Sequence, residues 1–222
     1  MSKDQVKKLV RIGALSGIIT VVVFFLATVY VIMVPGSLDL ATIGNDPLFM
    51  PSYFVLAGAG ILGIIFFLGL YKLLTMEGTT NASYLAVIFG VMGFTFFLAM
   101  LMVQGVVMSR TGALFLSAGE EYRSTVLQIY SGLRSIDLAL DLVWDIFISL
   151  SVILFGFSML KSAYFGKAFG LAGIVAGGGL LIVNIITAPV PPANAGLVDL
   201  GPVLFIWFLA VGVRMINTGK KL

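Results

Sequence analysis

The chain has 222 residues, 60% of them hydrophobic and only 10% charged, with a net charge of +3 and a mean hydropathy of +1.13. That composition lies outside the range of soluble domains and points to a polytopic membrane protein, with the lipid bilayer as its first partner and no nucleic-acid partner expected. The absence of Cys and His excludes disulfides, thiolate and imidazole metal sites, His-ligated haem and any Ser-His or Cys-His nucleophile pair; no cofactor is expected, and any metal would be a hard cation held by oxygen.

A bilayer core about 30 Å thick takes about 20 helical residues, and six apolar stretches meet that length: 12–34, 51–75, 83–108, 136–160, 168–188 and 200–216. The first follows a basic N-terminal segment, but it is too long for a signal-peptide core and no small-x-small cleavage site follows it, so it reads as a retained span. The connections are short and rich in turn-forming residues, which leaves one polytopic domain over 1–222 and no soluble module.

The third connection is the longest. Ser117-Ala-Gly-Glu120 matches a capping box, and Tyr122, Val126, Ile129, Leu133 and Ile136 recur at helical spacing with polar residues between them. This pattern predicts an amphipathic helix over about 117–135 that starts at a Ser117 cap and bends at Ser131-Gly132 before the fourth span. The expected fold is therefore an all-α membrane protein, a six-transmembrane-helix bundle with an extracytoplasmic amphipathic helix before the fourth span.

Basic residues set the orientation. Lys3, Lys7, Lys8, Arg11, Lys72, Lys161, Lys167, Arg214, Lys220 and Lys221 fall on one side of the threaded chain, and only Arg110, Arg123 and Arg134 on the other. The positive-inside rule then places both termini of this multi-pass chain in the cytoplasm. Eight of the ten acids lie on or toward the opposite side, a sign that draws cations to any cavity opening there. Small-x-x-x-small pairs at Gly13 and Gly17, Gly166 and Gly170, and Gly173 and Gly177 mark close helix contacts, and Gly177-Gly178-Gly179 is the place to expect a kink.

Within the fourth span, Asp137, Asp141 and Asp145 stand four residues apart and form one stripe on a helix. A charge inside the bilayer costs several kcal/mol, about 2.5–3.5 on insertion scales, so such a residue marks a pathway, a site or a buried partner. Counting outward from Lys161, Asp137 falls at the interface, solvated and within i,i+3 reach of Arg134; Asp141 falls near the hydrocarbon edge, and Asp145 one turn inside. Arg110, at the outer end of the third span, is a candidate cross-helix partner for Asp145. Gln104 and Asn184 fall at similar depth on the third and fifth spans, so the expected site is one shared pocket built from Asp137, Asp141, Asp145, Gln104 and Asn184.

The leading reading is a small transporter or channel whose outward-facing acidic and polar pocket takes a cation, a proton or a cationic small molecule. The alternatives are a non-catalytic structural or accessory subunit, assembled with a membrane complex or with copies of itself, and a membrane-embedded enzyme. The enzyme reading is the weakest, because the chain lacks a second acidic cluster and the Asp-x-x-Asp-Gly-x-x-Ala-Arg stretch of membrane phosphotransferases. The segments FGFSMLKSAYFGKAFGLAGIVAGG and LFIWFLAVGVRMI, with Trp144-Asp145 before them, resemble small prokaryotic integral membrane proteins of about six helices grouped as a domain of unknown function. The resemblance covers mainly the C-terminal half; it implies six spans in a prokaryotic membrane and no assigned activity.

Overall fold

The computed structural model describes residues 2–33, 39–78 and 81–220, and every regular element among these is helical. Val34, the last residue of the first expected span, and Lys221 lie outside the described residues. In chain order the elements are α1 (Lys3–Met33), α2 (Leu40–Asn45), α3 (Phe49–Thr75), α4 (Asn81–Met102), a π-helical turn (Val103–Val107), α5 (Met108–Ser117), α6 (Glu120–Met159), α7 (Gly166–Thr187), a 3-10 turn (Pro192–Ala195) and α8 (Gly201–Gly219).

Among the described residues, six helical rods are long and apolar enough to cross a membrane: α1, α3, the run from α4 through α5, α6, α7 and α8. The protein is a multi-pass, six-span helical bundle. Helices are the form a span must take, because every backbone polar group is then satisfied within the segment. The spans close a ring: α1 packs on α3, α3 on α4, α4 on α6, α6 on α7, α7 on α8, and α8 returns to α1. Val175 is 71% exposed and Ile186 70%, an apolar outer surface that fits a lipid neighbour rather than water.

Phenylalanines fill the middle of the ring. Phe66, Phe67, Phe94, Phe155 and Phe208 are fully buried, and the Phe67 ring lies 5.4–5.7 Å from those of Phe66, Phe94, Phe155 and Phe208. Glycine makes the room. A Cβ on Gly13 would meet Gly69 Cα at 2.8 Å, and one on Gly156 would meet the Gly170 carbonyl oxygen at 2.7 Å, so these pairs let α1 cross α3, and α6 cross α7, backbone to backbone. Gly177 serves the same way against the Ser149 carbonyl, and α7 runs through Gly177-Gly178-Gly179 as one helix.

The third connection differs from the expectation. Ser117 is not a cap: it is the last residue of α5, and its hydroxyl donates back to the Ala113 and Leu114 carbonyls at 3.1 Å. The next helix starts at Glu120 behind an extended Ala118 and Gly119, with Glu120 and Glu121 in its first turn, where acids complement the helix dipole. It runs through Ser131-Gly132 without interruption. The amphipathic segment and the fourth span are one 40-residue helix, about 60 Å long at 1.5 Å per residue and thus about twice the thickness of a bilayer core.

Candidate functional site

The α4–α5 rod supplies the first element of the site. Its helix widens and shifts register at the π turn, where the Met108 amide donates to the Val103 carbonyl five residues back. One extra residue per turn breaks the ordinary facing of side chains, a device often found beside functional groups. Gln104 sits in this turn, and its Nε2 donates to Asp137 Oδ1 at 2.7 Å. Gly105, next in the turn, lies so close to Tyr53 of α3 that a Cβ there would meet Tyr53 Cβ at 2.5 Å.

Asp137 is therefore enclosed, not solvated. It is 3% exposed, and its second carboxylate oxygen accepts from Arg134 Nη1 at 2.7 Å, with Arg134 still 31% exposed on the side chain. Both oxygens are engaged, one by a neutral amide and one by a guanidinium, which is the arrangement that makes a buried carboxylate tolerable. The i,i+3 spacing to Arg134 was readable in the sequence; the burial was not.

The other two aspartates face empty space. A cavity of about 330 Å³ is lined by Asp141, Asp145 and Asp199 together with Phe24, Phe97, Trp144 and Phe205, closed on one side by Pro191 and Pro192 of the α7–α8 loop. Asp145 is 8% exposed. The four rings form a continuous wall: Phe205 to Phe24 is 4.3 Å between centroids, Phe24 to Phe97 5.1 Å, and Phe97 to Trp144 5.1 Å. Phe97 and Phe205 in turn touch Phe94 and Phe208 of the buried core, so the cavity ends on the phenylalanine cluster. It lies at the end of the bundle opposite the chain termini.

A second cavity of about 320 Å³ lies beside the first, lined by Ser135, Leu138, Asp141, Asn184, Pro189 and Pro191 among others. Asp141 borders both. Asn184 of α7 donates to the Leu180 carbonyl of its own helix at 3.0 Å and faces the Asp145 carboxylate. The single expected pocket is thus divided: Gln104 leaves it for Asp137, Asn184 and Asp145 stay adjacent, and Asp141 stands between the two spaces. Arg110 is exposed on α5 and forms no ion pair with Asp145.

Several residues of the site carried no obvious sequence signal. Asp199 lies in the loop before α8, where its Oδ1 accepts from the Gly201 amide at 2.8 Å, and it looks in the sequence like an ordinary surface acid. Ser149, buried one turn beyond Asp145 and outside the lining of both cavities, continues the Asp137, Asp141, Asp145 series by one more four-residue step. The Ser149 hydroxyl and the Trp144 indole N–H are the two buried side-chain polar atoms without a hydrogen-bond partner among the described residues, and such groups are rare enough in native interiors to need a reason.

Chemically, the first cavity combines negative charge with aromatic faces and has no basic side chain in its lining. Among the described residues no group of three acidic side chains is close enough to hold a metal ion, so the carboxylates line a volume rather than converge on a point. No family model, no curated protein and no solved structure matches the chain.

Proposed function

We propose that this protein carries an organic monovalent cation, an amine or quaternary ammonium with an apolar body, across a prokaryotic cytoplasmic membrane. The observation that supports this reading is the cavity that sets Asp141, Asp145 and Asp199 against the rings of Phe24, Phe97, Trp144 and Phe205. A carboxylate in a low-dielectric setting attracts a cation strongly, and an aromatic face adds about 0.5–2 kcal/mol while accepting an apolar ligand surface that a hydrated metal ion lacks. The cavity volume falls at the small end of ordinary small-molecule sites, about 300–1,000 Å³.

Both termini are placed in the cytoplasm on the asymmetry of Lys and Arg, so the cavity faces outward. The buried phenylalanine cluster beneath it then acts as the closed inner barrier of an outward-facing state. Proteoliposomes containing the protein should accumulate tetraethylammonium against protein-free vesicles, and Asp145→Asn should reduce that flux to background. Binding without flux in the same vesicles would leave a cation-binding accessory subunit in place of a carrier. Asp137 has no part in the proposed site; its engagement with Gln104 and Arg134 supports a structural role.

A further inference from the structure

At the opposite end of the bundle a third, chemically inverted hollow lies between α1 and α8. It has a volume of about 390 Å³ and is lined by Lys7, Arg11, Leu15, Ile216, Gly219 and Lys220. Lys7, Arg11 and Leu15 succeed one another at four-residue steps, so on α1 they form one stripe running from two cations at the helix start to an aliphatic side chain deeper along it. On α8 the order is mirrored, with Lys220 at the helix end and Ile216 one turn deeper. Gly219 has no side chain to fill the space, and a Cβ there would touch only Val10 at 3.7 Å.

Among the described residues, nothing acidic neutralises the three cations. No ion pair among the described residues involves Lys7, Arg11 or Lys220, and Asp4, one turn before Lys7, is exposed outside the hollow. Glu77, the other acid at this end, is engaged elsewhere: its carboxylate accepts from the Ser162 hydroxyl and from the Tyr164 amide. All three basic residues are exposed, so the hollow presents solvated charge with no ion pair among the described residues, at the end of the bundle that carries the chain termini.

We propose that this hollow binds the phosphodiester headgroup of an anionic phospholipid, with Lys7, Arg11 and Lys220 around the phosphate and Leu15 and Ile216 against the first segment of an acyl chain. Two features select a lipid over a soluble phosphate: the apolar floor continues directly from the cationic rim, and Leu15, 43% exposed, lies on the outer surface of the bundle, open to the bilayer. Basic hollows between spans on the positively charged side of a membrane are where such headgroups are held. The assignment does not depend on the function proposed for the acidic cavity.

The test is native mass spectrometry of the delipidated full chain titrated with phosphatidylglycerol or phosphatidylcholine. The wild type should bind the first phosphatidylglycerol at least about tenfold more tightly than phosphatidylcholine, because each basic side chain near an anionic headgroup contributes several-fold in affinity. Lys7→Gln/Arg11→Gln, and separately Lys220→Gln, should remove most of that preference, while Lys3→Gln/Lys8→Gln, which takes the same charge from the same helix outside the hollow, should keep it. Unfolding midpoints of all variants in neutral detergent should match the wild type, since every substituted side chain is exposed. Equal loss in the Lys3/Lys8 pair would reduce the effect to diffuse surface charge, and displacement of the lipid by millimolar glycerol phosphate would make this a soluble-phosphate site; either result overturns the proposal, as would no preference in the wild type.

Discussion

Asp137 and Asp141 are one helical turn apart on the same face of α6, yet the bundle treats them oppositely: Asp137 has both oxygens held, by Gln104 and Arg134, while Asp141 borders two cavities and has no charged partner within ion-pair distance. The difference comes from the neighbouring rod. The π turn of Val103–Val107 brings an amide to Asp137, and nothing comparable reaches the next turn of α6, where the α7–α8 loop stands off and leaves space.

Stability should follow this division. Asp137→Ala leaves the Gln104 amide and the Arg134 guanidinium without their acceptor and should cost about 1–3 kcal/mol, the usual penalty for stranded polar groups. Asp141→Asn removes no interaction of that kind and should change stability by less than about 0.5 kcal/mol. Thermal or denaturant unfolding of the detergent-solubilised protein reads both, and equal losses would contradict the assignment of structural and vacant roles.

The helix crossings give a second expectation. Gly13→Ala places a Cβ 2.8 Å from Gly69 Cα, a backbone atom that cannot swing aside, so the α1–α3 crossing must widen at a cost of about 1–3 kcal/mol. Gly58→Ala, on α3 where an added Cβ meets nothing within 4 Å, should be neutral or slightly stabilising. Unfolding midpoints of the two variants should differ in that order.

The spans were legible because apolar stretches of sufficient length satisfy one overriding constraint, backbone hydrogen bonding in lipid; 51–75 and 168–188, for example, fall within two residues of α3 and α7. The site was less legible because it depends on register. Along a regular helix Gln104 falls at the depth of Asp145, and the π turn changes which neighbour it reaches. Ser117-Ala-Gly-Glu120 fits a capping box by residue type alone, but Ser117 lies inside the last turn of α5, where its hydroxyl bonds back to carbonyls rather than forward to amides. The ring wall drew on Phe24, Phe97, Trp144 and Phe205, four residues on four helices, and no spacing within one segment connects them.

Threading is tested independently of any ligand. Cys placed at Asp39 should react with an impermeant thiol reagent on intact cells, and Cys placed at Lys161 only after lysis, because the basic end is expected inside. The reverse pattern would turn the acidic cavity toward the cytoplasm and overturn the outward-facing reading.

The aromatic wall should matter for the charge of the ligand as well as its bulk. Phe24→Leu keeps an apolar side chain but removes the ring that bridges Phe97 and Phe205, and it should weaken tetraethylammonium binding about 3- to 10-fold, in line with the loss of one cation–π contact. Binding of a neutral hydrocarbon of the same shape should change much less. Equal losses for both ligands would mean the ring contributes only packing.

The most direct test uses the cavity's own reporter. The chain has two tryptophans, Trp144 in the cavity wall and Trp207 bonded to the Phe169 carbonyl on the α7–α8 face, so Trp207→Phe leaves a single fluorophore beside Asp145. Titration of that variant with tetraethylammonium should give a saturable change in Trp144 emission. Adding Asp141→Asn and Asp145→Asn should abolish it, while Glu120→Gln, an acid at the same end outside the cavity, should leave it intact. An unchanged titration curve in the double aspartate variant would contradict the assignment of this cavity as a cation site.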